Sequence, residues 1–339
     1  MYFFADCWHG AVMRPIIVAL GKGRWFILLR YVLKRVLQLI PILIAASLLI
    51  FGLVRLSPSD PISSMTKGKQ VSQETRQALE TQYHLDQSLP EQYLIWIGGL
   101  LHGDMGESFT HKQSVNSLIA NRLPTTLQLV LMSAVLAILI AIPVGILSAV
   151  KMNSILDRIL SALTLIFVAS PVFLTAIILM LIFCLKIPIF PSFGSGDGFV
   201  DNLRYLFLPA LALSLNMVAL ISRITRSNMI EQLNANYATT AVAKGVPYHK
   251  VVMKHCLKNA IIPVITVTSI QFGTMIVGAV LVENVFALGG IGDVLLSGVK
   301  SADYPVVQGI TLMLVAIFLL INLLVDVLYA LIDPRIRLD

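Results

Sequence analysis

Long apolar runs separated by short polar stretches dominate this chain. Six of them reach the roughly 20 residues that an α-helix needs to cross a bilayer core about 30 Å thick. They fall at 31–56, 125–150, 157–185, 205–222, 261–282 and 306–331. The second, third and sixth are long and nearly free of charge, whereas the fourth is short and interrupted by Pro209. Pro143, Pro171 and Pro209 each remove a backbone donor inside a run, which suits either a moving wall or a fixed packing feature. The pattern predicts an all-α integral membrane protein with six transmembrane helices.

The stretches between the runs set the organisation. Residues 1–28 hold apolar patches at 3–4 and 16–20, too short to span and followed by no cleavage site, and read as an interfacial or disordered extension. Residues 29–56 form the first transmembrane helix. Residues 57–122 form a water-facing outer segment that is partly helical: Ser72 caps a helix running to Tyr83, and Pro90 introduces another over 91–101. Residues 123–339 make a five-helix core that includes an inner loop at 223–260.

Composition agrees with the pattern, since 57% hydrophobic and 13% charged residues are too apolar for a soluble domain. The formal net charge of +7 raises nucleic acid as a partner. The cations form no continuous patch with interleaved aromatics, so that class is excluded. They cluster instead at the ends of runs: Lys22, Arg24, Arg30, Lys34 and Arg35, then Lys151 and Arg158, then 223–258, then Arg335 and Arg337. With six helices all four clusters share one side, which places both termini in the cytoplasm. Cys7, Cys184 and Cys256 are odd in number and far apart, so neither a disulfide framework nor a zinc site is implied.

The inner loop is the most structured polar stretch. It reads YATTAVAKGVPYHKVVMKHCLKNAIIPVIT over 237–266. Ala238, Ala241 and Ala243 give a first helix a small face for close approach. Gly245 breaks that helix and Pro247 starts another, because glycine takes positive φ past a helix end and proline suits a first turn. Lys250, Lys254 and Lys258 then recur at four-residue spacing, and the helix is expected to run on without interruption into the fifth apolar run.

Candidate chemistry is sparse. The HGDMGES stretch at 102–108 joins a histidine to two acids, with His84 and His111 nearby, but a metal needs several donors at set geometry. It is read as solvated loop and no metal is assigned, with His84, His102 and His111 the first residues to test. Asp326 follows Asn322 by one helical turn. A charge at the bilayer centre costs about 2.5–3.5 kcal/mol on insertion scales and less near the end, so an ion pair with inner basic residues is preferred to a proton relay. Gln271 and Glu283 are candidates for a polar path, Glu283 also for the outer interface, and Pro171 for a gate. No phosphate-binding loop or HExxH occurs, and the GGIG at 289–292 is a turn. The energy for transport therefore comes from an ion gradient or from another subunit.

TTAVAKG followed by a basic helix and KNAIIPVIT resembles the cytoplasmic EAA loop of ABC importer permeases, particularly the dipeptide, oligopeptide and nickel permease family. The likeness extends from 28 to 339. It is carried also by LLRYVLKRVLQLIP, SPSDP, YHLDQSLPEQY, GDMGES, RLPTTLQL, VENVFALGGIG, DYPVVQG and NLLVDVLYALIDPRIR. The resemblance implies a type I ABC importer permease fold in a bacterial inner membrane. This chain would form half of a pore with a second permease, as a heterodimer, alongside two ATPase subunits and an extracytoplasmic substrate-binding protein. ATP and Mg would act in the ATPase subunits, with no cofactor and no catalytic residue in this chain.

By the same resemblance Thr239, Thr240, Ala241, Lys244, Gly245, Val246 and Pro247 couple to the ATPase. The loop departs from the family where Thr239 and Thr240 replace the EAA glutamate and first alanine, and Leu288-Gly289-Gly290 replaces Trp-Pro-Gly. Residues 1–28 have no counterpart in the family. Di- or oligopeptides are the expected cargo, with nickel or a metallophore complex as an alternative and a proton-coupled transporter through Asp326 as the alternative of another class.

Overall fold

The computed structural model describes residues 22–56, 61–66, 69–194, 196 and 198–332, and is helical almost throughout. The chain divides into two compact units, one of residues 1–58 and 311–339 and one of residues 59–310. Among the described residues, five helices are long and apolar enough to cross a membrane, and two bent pairs raise the number to as many as seven. The six expected runs all lie on these helices, with boundaries that differ in instructive ways.

In the first unit, α1 spans Lys22–Arg55. It begins inside the stretch expected as an extension, and residues 1–21 lie outside the described residues. The unit also holds α11, Tyr304–Ile332, from residue 311 onward. The apolar windows of α1 and α11 are only 11% and 6% buried, so their Leu- and Ile-rich surfaces suit lipid rather than a protein core. Their polar link is an ion pair, Arg35 Nη2 to Asp326 Oδ2 at 3.3 Å.

The second unit opens with the outer segment. Helix α2, Gln73–Gln82, has Ser72 as its N-cap, and the Ser72 hydroxyl accepts from the Thr75 N–H at 3.2 Å. Helix α3, Leu89–Leu101, starts at Ser88, whose N–H and hydroxyl both donate to Glu91. Those two hydrogen bonds hold the Glu91 carboxyl below its ordinary value.

Helix α4 runs Val115–Val150 and so crosses residue 122, where the outer segment was expected to end. Ser114 caps it by accepting from the Ser117 N–H, and Pro124 is accommodated within its length. The third run, expected as one span, is a broken pair. Helix α5, Ile155–Ala169, and helix α6, Val172–Met180 with its π-helical extension Leu181–Lys186, meet at 110°. Pro171 has no N–H to continue the ladder and forces Ser170 into extended backbone at ψ 131.

The fourth run, expected short, is a 35-residue helix, α7, Phe199–Leu233, which passes through Pro209. In its polar inner half Thr225 and Asn228 donate back to the carbonyls of Ile221 and Ile224, so neither polar side chain is left unpaired within the helix. Helix α8, Asn236–Ala243, is followed by a turn and then α9, Leu257–Phe286. Helix α10, Ile291–Lys300, folds back at 78° before α11 begins.

The core sits between α4, α7 and α9, and is built on small residues. Ala137 and Ala141 of α4 and Ala210 and Ala212 of α7 are fully or almost fully buried beside Leu206, Leu208, Met275 and Phe286. Within a bilayer apolar burial between helices gains little, and close backbone approach with van der Waals packing has to hold them together. Gly145 shows how close: a Cβ there would lie 2.5 Å from Thr225 Cβ and 2.7 Å from the Ser222 carbonyl oxygen. Backbone cannot move aside cheaply, so Gly145→Val is expected to cost at least about 2 kcal/mol. A drop in the thermal unfolding midpoint of the purified chain would register it, and an unchanged midpoint would show that α4 and α7 are not held at that distance.

Candidate functional site

The inner loop is assembled as its sequence requires. Helix α8 anchors itself by Ala238, which is buried with Ala149, Met229, Val251, Val252, Cys256 and Ala260. It exposes Thr239, Thr240, Val242, Ala243 and Lys244 on its other side, and leaves Ala241 half-buried. At its end the Gly245 N–H donates to Val242 O at 2.9 Å and the Val246 N–H to Ala241 O at 3.1 Å, the paired bonds of a Schellman cap. Gly245 has φ +80, and among the described residues, its two chain neighbours aside, no atom lies within 4 Å of the Cβ it lacks. The space beside the turn is open. Pro247 follows in extended backbone and starts the next helical turn, Tyr248–Lys250.

From there the chain is helical to Phe286, as expected, with one feature the sequence did not suggest. Residues Val251–Cys256 are π-helical before α9 begins at Leu257. The wider turn keeps Val251, Val252 and Cys256 on one buried side, and leaves Lys250, Lys254 and Lys258 exposed. Single π turns inside helices are frequent at functional sites. Tyr237 donates to Gln232 at 2.8 Å, and burial raises its phenol above the ordinary range, so it remains a neutral donor.

Under α8 lies a concavity of about 370 Å³, whose wall includes Met152, Ile230, Leu233, Ala238, Val242 and Tyr248. Val242 and Tyr248 are about half exposed, at 50% and 53%. An apolar patch beside a polar, basic loop is the composition of an interaction surface.

Behind the loop stands a buried ion pair that sequence reasoning missed. Asp157 of α5 is 4% exposed and receives Arg226 of α7 in bidentate fashion, Nε to Oδ1 and Nη2 to Oδ2, both at 2.8 Å. The Ser148 hydroxyl of α4 donates to the same carboxylate, and the Asn153 N–H donates to it at 2.9 Å. Three helices are thereby pinned at one end. The pair is separated by 69 residues, and the only local sign of it is Ser154, placed to cap the helix in which Asp157 occupies the first turn.

At the far end of α9 the chain turns sharply. Ala287 has φ +45 and Gly289 φ +66. Glu283 is fully buried and its Oε2 accepts from the Gly292 N–H at 2.7 Å, while Thr126 of α4 accepts from the Ile291 N–H at 3.0 Å. Together they satisfy the first donors of α10, which no residue of that helix can do. Arg122 donates to the Gly289 carbonyl at 3.0 Å. A Cβ on Gly290 would meet the Glu283 carboxylate at 2.4 Å, which accounts for glycine there. Glu283 therefore serves this chain as an internal cap and, being fully buried, neither lines a polar path nor stands exposed at an outer interface, the two places where the sequence put it.

The outer stretch at 102–108 exposes His102, Gly103, Asp104 and Glu107, as a solvated loop does, and is ordered by its own turn, with Ser108 buried at its end. Ser108 donates to Asp303 at 2.6 Å and the Thr110 N–H donates to the same oxygen at 2.9 Å. Asp104 accepts from the Gly106 N–H, and the His102 ring lies 2.8 Å from the Gly98 carbonyl. Phe109 is wedged between Tyr83 and Tyr304. Among the described residues no three His, Cys, Asp or Glu side chains converge on a common point, and His84, His102 and His111 are not brought together.

The remaining candidates are dispersed. Pro171 marks the α5/α6 break, and Gln271 is half-buried on α9. Asn322 and Asp326 belong to the first unit, where Asp326 pairs with Arg35 of α1.

Residues 28–130 match the N-terminal part, and residues 141–338 the main part, of the family described as binding-protein-dependent transport system inner membrane component. A peptide permease protein of Brucella suis biovar 1 is 41% identical over 317 residues, covering 91% of this chain and 99% of that protein. The oligopeptide transport system permease protein AppB of Bacillus subtilis is 36% identical over 313 residues with the same coverage. The dipeptide transport system permease protein DppB of Escherichia coli is 34% identical over 336 residues, again with that coverage. A chain of the inward-facing MetNI methionine ABC transporter superposes with a TM-score of 0.54 at 19% identity, over 64% of this chain and 96% of that one, which bears on the fold alone. The chain belongs to the family of binding-protein-dependent transport system inner membrane components.

Proposed function

We propose that this chain is one of two permease subunits that together form the translocation pore of an ATP-driven peptide importer, and that its 237–247 loop is where an ATPase subunit takes hold. The single observation that carries the coupling claim is the geometry of that loop. An exposed, Schellman-capped turn with open space beside Gly245 is continuous, through the π-helical turn, with a helix that ends in the Glu283 elbow. Closure of ATPase subunits around bound ATP and Mg2+ presses on the loop. The helix carries the displacement to the elbow, where Thr126 and Arg122 transmit it to α4.

Within this reading the chain hydrolyses nothing. It resides in a bacterial inner membrane with both termini in the cytoplasm, beside a second, non-identical permease and an extracytoplasmic substrate-binding protein. Peptide as cargo is supported by the peptide and dipeptide systems named for its relatives, which gives nickel no comparable support. Asp326, on which the proton-coupled alternative rests, forms an ion pair with Arg35, the arrangement preferred over a proton relay.

Reconstitution with its ATPase subunits and binding protein tests the proposal. Labelled dipeptide should accumulate only with ATP, and a protonophore should leave the rate unchanged while ATP is maintained. Uptake that follows a proton gradient without ATP would overturn it.

A further inference from the structure

We propose that a cavity among α4, α5 and α7 is a binding site for the headgroup of an anionic phospholipid. The cavity measures about 310 Å³ and lies at the end of the bundle pinned by the Asp157–Arg226 pair. Its polar wall includes Ser161, Thr164, Ser222 and Arg223, and its apolar wall includes Leu165 and Val168.

Charge decides what fits. Arg226 is neutralised by Asp157, through both carboxylate oxygens. Arg223 is exposed and, among the described residues, makes no hydrogen bond or ion pair. Lys151, which ends α4, and Arg158, in the first turn of α5, are also exposed at this end of the helices. Among the described residues that line the cavity, Arg223 is therefore the cation that no carboxylate answers, and it is the group that would meet a phosphate, since the Ser161, Thr164 and Ser222 hydroxyls already donate to Asp157 and to the Ser161 and Ala219 carbonyls. The other end is apolar, with Leu165 and Val168 exposed at 63% and 45%. An acyl chain can lie along that surface while its phosphate meets Arg223, an arrangement typical of basic pockets between transmembrane helices near a membrane surface. A free phosphate or a peptide carboxylate would use the cationic end and leave the apolar end uncovered.

The test is native mass spectrometry of the chain in its assembled complex, delipidated and then supplied with phosphatidylglycerol, phosphatidylcholine or inorganic phosphate. The wild type should retain phosphatidylglycerol in preference to phosphatidylcholine. Arg223→Gln should lower that retention about fivefold and leave phosphatidylcholine unaffected. Ser161→Leu, which fills the cavity without removing a charge, should lower it as well and provides a second reading if the first variant assembles poorly. Undiminished retention in an assembled variant would overturn the proposal. Displacement of the lipid by equimolar inorganic phosphate would do so too, as would an Arg223→Gln effect confined to the KM for peptide.

Discussion

A Gly245→Leu chain is expected to fold and insert normally, and to lose ATP-driven uptake by more than about tenfold, the scale of a well-placed interface residue. Two separable effects meet at this residue. Its φ of +80 costs any side chain about 1 kcal/mol of backbone strain, a sum an anchored loop can absorb. Among the described residues, its two chain neighbours aside, nothing lies within 4 Å of the Cβ position, so a side chain starts out into open space. A bulky residue there is therefore expected to disturb chiefly what docks from outside the chain. Gly245→Ala should carry the strain with almost no bulk and keep most of the uptake, so the pair separates backbone from contact. Equal, severe losses in both variants would assign the role of Gly245 to the Schellman turn alone, and normal uptake by the leucine variant would remove the turn from the coupling surface.

Asp157→Ala carries the second large effect. Removing the carboxylate leaves the Arg226 guanidinium, 30% exposed, without its bidentate partner, and leaves the Ser148 hydroxyl and Asn153 N–H without their acceptor. Breaking a fully buried pair from one side costs about 3–5 kcal/mol, and partial exposure of Arg226 reduces this to about 2–3 kcal/mol. Because the pair ties α4, α5 and α7 beneath the loop, the loss should appear twice: as a lower unfolding midpoint and as ATP hydrolysis by the complex that no longer drives proportionate uptake. Adding Arg226→Ala to the same chain removes the orphaned charge, and should recover part of the lost stability. A double variant less stable than either single one would argue against the pair as the cause.

The spans were legible because lipid leaves a long apolar run few alternatives, and the Gly245-Val246-Pro247 turn was legible because glycine and proline each have a local backbone reason to be there. Ser72 likewise announces its helix by a side chain three residues from the donor it satisfies. What could not be read was what depends on distant partners. Glu283 looks like an interfacial charge until Gly292 and Thr126 are seen beside it, and Asp303 like a loop residue until Ser108 and Thr110 donate to it. Asp157 and Arg226 lie in different helices with nothing in either segment to name the other. Pro171 was seen, but whether a proline kinks a helix or breaks it at 110° depends on what packs on each side. Pro209 remains inside a straight reading of α7 where the local argument expected an interruption. The paired motifs of the family resemblance make physical sense in this light: RLPTTLQL meets VENVFALGGIG at the elbow, and GDMGES meets DYPVVQG at the outer turn.

The central claim is that the exposed face of α8 touches the ATPase subunit, and site-specific photo-cross-linking measures it directly. A photoreactive phenylalanine analogue at Val242, which is 50% exposed beside the concavity, should give an adduct with the ATPase subunit in the assembled transporter. The same analogue at Leu165, 63% exposed on α5, should give none. An assembled, transporting complex with no ATPase adduct at Val242, or with equal adducts from both positions, would contradict the account.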